Sequence, residues 1–112
     1  MQPHLHPGEE KSENIYLISG EIVVLYFDDV GDVVEYHHLD EPLNSQIEVP
    51  PFKWHTYVSL TDSSITYETM NGVYEPSTWK HYAKWAPKEV DNNARYYLSE
   101  LEMMAGKLRL NN

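Results

Sequence analysis

His4-Leu5-His6 sets two imidazoles two residues apart. Side chains on a strand alternate between faces, so both rings would point the same way and meet at one place. Glu13 follows the short loop Pro7-Gly8-Glu9-Glu10-Lys11-Ser12 and opens a stretch that can return to that place. His55 opens a later apolar stretch after Pro50-Pro51-Phe52-Lys53-Trp54. Three neutral imidazoles and a carboxylate suit manganese, iron, nickel, copper or zinc. Magnesium and calcium, which prefer oxygen shells, fit less well. Each residue alone has an ordinary reading: a solvated His-x-His, a surface glutamate, a hydrogen-bonded core histidine beside Trp54. Their order and spacing together favour a metal site.

Elements must bring these residues together, and 112 residues allow one domain with a modest core. Asn14 to Ile18 and Glu21 to Phe27 are apolar and aromatic runs separated by the turn signal Ser19-Gly20. Val33 to Leu39 resumes the pattern after the polar loop Asp28 to Asp32, which predicts a hairpin with the preceding run. Gln46 to Val49 is a short strand ended by Pro50-Pro51. His55 to Leu60 and Ser64 to Met70 are two more strands around Thr61-Asp62-Ser63. Many short strands with regular turns predict an all-β sandwich or barrel. Val73 to Lys88 lacks a clean period and is expected to wrap the barrel, anchored by Trp79 and Trp85. Asp91 is placed to cap a helix from about Asn92 to Ala105, with Gly106 as its stop. Tyr97, Leu98, Leu101, Met104, Ala105 and Leu108 form its apolar stripe, for packing on the barrel or on a partner subunit. The expected organisation is a single domain, with residues 1–90 forming the metal-binding barrel and its wrap, and residues 91–112 the helix.

Composition excludes several functions. There is no cysteine, hence no disulfide, thiolate metal site or thiol nucleophile. Eighteen acidic residues against eight basic ones give a net charge of −10, without the basic footprint that nucleic acid needs. No apolar run reaches membrane-spanning length, and Met1-Gln2-Pro3-His4 does not begin a signal peptide, so a soluble cytoplasmic protein is expected.

The constellation resembles the cupin superfamily, whose first motif is His-x-His, a gap, Glu, six residues and Gly. Here Glu13 is followed by Asn14 to Ser19 and then Gly20, after a longer gap than usual. The second motif, Pro-x-Gly-x-x-His, reads Pro50-Pro51-Phe52-Lys53-Trp54-His55, with Phe52 in the glycine position. The longer gap resembles the WbuC-type cupin fold metalloproteins of bacterial O-antigen and related polysaccharide gene clusters. The matching stretches include Pro3 to His6, Leu25 to Gly31, Ile47 to Pro50, Trp54-His55, Glu68 through Tyr74-Glu75-Pro76, and Lys80 to Pro87. The resemblance spans about residues 3–89, and Trp85-Ala86-Pro87 is its most specific part.

That resemblance implies a small antiparallel jelly-roll (cupin) barrel followed by the C-terminal helix. It implies one divalent transition metal ion (zinc, manganese, iron or nickel) on His4, His6, Glu13 and His55. Members usually carry a longer segment before the first motif; here a lone barrel is expected to expose an edge or an apolar face, which predicts a two-fold homodimer. Phe52 is expected to narrow the pocket beside His55.

Glu68 and Tyr74 occupy positions that recur in the family and are candidate catalytic residues. Glu68 is either a general base with a raised pKa or a strand carboxylate paired with a lysine. Tyr57, two residues beyond His55, shares its inward face and either orients substrate or lines the core. Lys80 either meets an anionic group or makes a surface salt bridge. His37 and His38, adjacent on a strand, point oppositely and cannot hold one ion together. The leading expectation is an enzyme acting on a small sugar or sugar nucleotide in polysaccharide biosynthesis, with the metal as Lewis acid for isomerisation or epimerisation. An iron-dependent oxygenase, a non-enzymatic small-ligand module and a barrel merely stapled by its metal are the alternatives.

Overall fold

The computed structural model describes residues 1–40, 44–72, 80–88 and 91–110. The strands are β1 (His4–Leu5), β2 (Glu13–Ser19), β3 (Glu21–Phe27), β4 (Val33–Asp40), β5 (Gln46–Val49), β6 (Trp54–Ser59), β7 (Ile65–Met70) and β8 (His81–Tyr82). One helix, α1 (Ala94–Leu110), follows. The strands form a five-stranded sheet, β4-β3-β6-β1-β8, and a three-stranded sheet, β5-β2-β7, with antiparallel pairing throughout.

The sequence of β3 explains the layering. Ile22 to Phe27 is apolar without interruption, and every one of these residues is buried. Such a run belongs to a strand covered on both faces. Ile22, Val24 and Tyr26 pack with Ile15, Leu17, Leu39 and Val49 in an inner cluster between the sheets. Val23, Leu25 and Phe27 pack with Val58, Leu101 and Ala105 in an outer cluster under the helix. Each fully buried aliphatic side chain contributes about 1.5–3 kcal/mol. β2 instead alternates, with Glu13, Ile15 and Leu17 buried and Ile18 exposed, as a strand covered on one face should.

The predicted hairpin of β3 with β4 forms, from Glu21 opposite Asp40 to Phe27 opposite Val33. Ser19-Gly20 and Thr61-Asp62-Ser63 are not hairpin turns. Each carries the chain from one sheet to the other, from β2 to β3 and from β6 to β7. The two crossovers touch: the Leu60 N–H donates to the Glu21 carbonyl at 2.8 Å, and the Ser64 hydroxyl to the same oxygen at 3.2 Å. Gly20 sits at φ +92°, and a Cβ there would lie 2.5 Å from Ser64 Oγ and 2.8 Å from the Ser63 carbonyl oxygen, so only glycine fits. Because the chain changes sheets without strand pairing, the described residues form two facing sheets and not a closed barrel.

The helix departs from expectation at both ends. The Asp91 carboxylate accepts the Lys88 N–H at 2.8 Å and does not cap a helical amide. The Asn93 carbonyl takes the first helical bond, from the Tyr97 N–H at 3.1 Å. Gly106 does not stop the helix. Glycine in a helix interior costs about 1 kcal/mol, and Leu108, two residues on, packs against the outer cluster and offsets it. The stripe narrows to Tyr97, Leu101, Ala105 and Leu108, while Leu98 and Met104 remain exposed. In the wrap, Trp85 packs on Phe27 with ring centroids 4.9 Å apart, over Gly31, where a Cβ would lie 2.7 Å from the indole. Trp79 lies outside the described residues. No helix among the described residues is long and apolar enough to cross a membrane.

Candidate metal centre

β1 lies between β6 and β8, which sets His4 directly opposite His55. Their ring centroids are 4.5 Å apart. His6 stands just past β1, and its carbonyl accepts the Phe52 N–H at 3.1 Å. Glu13 opens β2 in the facing sheet, with Oε2 3.1 Å from His6 Nε2 and Oε1 3.4 Å from His55 Nε2. All four side chains are buried, and one ligand atom from each lies within 4.8 Å of the others. Two ligands on one ion at about 2.0–2.3 Å are at most roughly 4.6 Å apart, so only a slight contraction is needed. A buried His/Glu cluster able to hold a metal ion is therefore present.

Local hydrogen bonds aim the rings. Nδ1 of His4 lies 2.9 Å from the Gln2 carbonyl oxygen, and Nδ1 of His55 lies 2.8 Å from that of Lys53. A ring that donates through Nδ1–H presents a lone pair at Nε2, the arrangement that orients metal-binding histidines. Glu13 Oε1 and His55 Nε2 are buried without a hydrogen-bond partner among the described residues, which an ion between them would remedy. Burial, followed by the nearby His55, holds the His4 pKa down to about 3, so its imidazole is neutral near pH 7. Burial pushes the Glu13 carboxyl up, but the imidazoles of His55 and His6 outweigh it and bring it to about 2. A neutral His4 imidazole beside the Glu13 carboxylate anion is the pair of protonation states that a cation requires.

Phe52 has φ +61°, a left-handed conformation that glycine adopts more easily. The turn thus keeps the backbone shape suited to glycine while carrying a phenyl ring. That ring is 55% exposed, so it points to solvent and does not narrow the pocket beside His55.

A cavity of about 270 Å³ opens onto the cluster, lined by Met1, His4, Glu13, Glu68, Thr69, Met70 and Lys80. Glu68 lies on the inward side of β7, opposite Ile15. Its side chain is exposed, and the packing around its inner part, then the Glu13 charge, raises its pKa. Lys80 borders the same cavity. Tyr57 takes the core role: it packs on the inner cluster, its hydroxyl 3.1 Å from Thr66 Oγ1, and it does not line the cavity. Tyr74 lies outside the described residues. His37 and His38 do point apart, to Glu35 at 2.5 Å and to Glu21 at 2.6 Å respectively. Met70 could have been found from the sequence, since it follows Glu68 by two on one strand. Tyr82, with its ring 6.1 Å from that of His4, could not, because only the β1–β8 pairing brings it there.

Residues 1–39 match a family model described as a domain of unknown function (DUF6016), a stretch that holds His4, His6 and Glu13 but not His55. No curated protein and no solved structure matches the chain.

Proposed function

We propose that this protein is a metal-binding cupin of the WbuC type, and that its two facing sheets are a jelly roll open at one end. One divalent transition metal ion would be held by His4, His6, Glu13 and His55, and the substrate would be a small sugar or sugar-nucleotide-like molecule. The observation that carries this reading is the convergence of four buried ligand atoms within 4.8 Å. The motif Glu13 to Gly20 and the solvent-connected cavity at His4 and Glu13 support it further. A bound ion would supply Lewis acidity towards a substrate oxygen. Glu68, with its raised pKa, is suited to take up and return a proton in an isomerisation or epimerisation. Lys80 is suited to meet a negative group on the substrate. A homodimer belongs to the same reading, favoured by the exposed Ile18, Ile65 and Tyr67 on the three-stranded sheet.

Elemental analysis of protein purified without added metal tests the centre. One equivalent of a transition metal is expected in the parent protein, and less than about a tenth in His6→Ala and His55→Ala. Full metal in both variants would sink the assignment. Glu68→Gln should keep its metal and lose turnover; a protein that binds sugar nucleotides without turning them over would instead be a binding module.

A further inference from the structure

Next to the metal cavity lies a larger one of about 530 Å³, whose walls include Trp54, Tyr82, Trp85, Lys80, Lys84 and Asp29. Its volume falls in the range that holds a small organic molecule. We propose that this cavity binds an organic phosphate bearing a flat ring, the chemistry of a nucleoside diphosphate, with its far end directed past Lys80 towards the metal centre.

The aromatic walls are fixed in advance. The Trp54 Nε1–H donates to Asp29 Oδ1 at 3.0 Å. Trp85 is wedged against Phe27 and over Gly31, and meets Trp54 edge-on with centroids 6.1 Å apart. Rings held before the ligand arrives lose little freedom on binding. Tyr82 leaves 52% of its surface exposed beside them, a face on which a flat ring can stack.

The charges point to phosphate. In a chain with eight basic and eighteen acidic residues, two lysines line this one cavity. An ammonium group meets phosphate as a compact charge. Asp29, a carboxylate also on the wall and bonded to Trp54, repels phosphate and accepts hydroxyl groups, so a sugar would lie towards it. The overall negative charge disfavours a long polyanion and tolerates one small diphosphate. Lys80 borders both cavities and so connects this site to the ligand cluster.

The inference leans on the proposed function only for where the reacting end would sit, since ring and phosphate recognition needs no ion. Calorimetric titration of the full chain with uridine 5′-diphosphate, with and without chelator, tests it. One molecule should bind per chain in both conditions. Uridine alone and inorganic pyrophosphate should each bind at least tenfold more weakly. Lys84→Ala and Tyr82→Ala change exposed side chains and should each weaken binding at least tenfold, and Lys84→Ala should leave metal content unchanged. Absence of binding, equal affinity for pyrophosphate, or unchanged affinity in both variants would overturn the proposal. Binding by a protein that takes up no metal would uphold it while removing the metal centre. A fully metallated protein that ignores the nucleotide would do the reverse.

Discussion

Two buried groups of opposite chemistry share the space between the sheets. At one end Ile15, Leu17, Ile22, Val24, Leu39 and Val49 pack together. At the other, equally removed from solvent, lie His4, His6, Glu13 and His55. The apolar end stabilises the fold by the surface it withdraws from water. The polar end gives up hydration and regains it incompletely, since Glu13 Oε1 and His55 Nε2 find no hydrogen-bond partner among the described residues. Equal burial therefore has opposite meaning at the two ends. One end holds the sheets together, whereas the other is held together by them and would reach its full stability with a cation in place.

The largest way to break this contrast is to remove the metal. Free ion at a thousandfold over its dissociation constant stabilises the folded state by about 4 kcal/mol. Chelation should abolish that gain, lower Tm and speed hydrogen exchange at His4 and Leu5 while Val23 to Leu25 stay protected. Leu39→Ala should cost about 3 kcal/mol with or without chelator. A chelator effect confined to the apolar end, or absent altogether, would refute the contrast.

Acid should sharpen it. In the metal-free protein His4 protonates at about 3, against its ordinary 6.5. Between those values the unfolded chain binds a proton that the folded chain does not. Stability is therefore full above pH 6.5 and falls as pH drops, by up to about 1.4 kcal/mol per unit from this group. Glu13, at about 2 against 4.5, adds a loss of the same sign below pH 4.5. Urea midpoints of the chelated protein at pH 7.5 and 5.5 measure this. His4→Phe should flatten the slope, and Leu39→Ala should shift the midpoint and leave the slope alone.

The smallest expected effect concerns the turn that holds the His6 backbone. Phe52→Gly relieves a left-handed residue and should stabilise by roughly 1 kcal/mol, with metal content unchanged. A lower Tm would mean that the phenyl ring contributes packing after all.

Local chemistry was legible in the sequence, and distant pairing was not. The uninterrupted apolar run of β3 and the alternation of β2 identified strands because burial acts on each residue where it stands. Alternation along a strand made His4 and His6 legible as a pair, and the order and spacing of the cupin-like motifs made Glu13 and His55 legible with them. The turns at Gly20 and Ser63 read only as turns, and that they cross between sheets was not legible, since a turn residue records backbone conformation and not the destination of the next strand. The helix ran past Gly106 because Leu108 had an apolar surface to meet, which no local propensity reports. Tyr82 and Lys80 came to the site through strand order alone.

The position of β1 governs the order in which the molecule can assemble. It is an inner strand, with His4 bonded in register to His55 on one side and to Tyr82 on the other. Both neighbours are synthesised after it. On the ribosome, the first ligands to emerge have no partner strand until β6 appears, and the sheet cannot be completed until β8 follows. Pairings between segments far apart in sequence also form late in folding, because loop closure must precede them. The apolar hairpin of β3 and β4 can form early from neighbouring residues, whereas an ion could meet its full set of ligands only once β6, and with it His55, has been made.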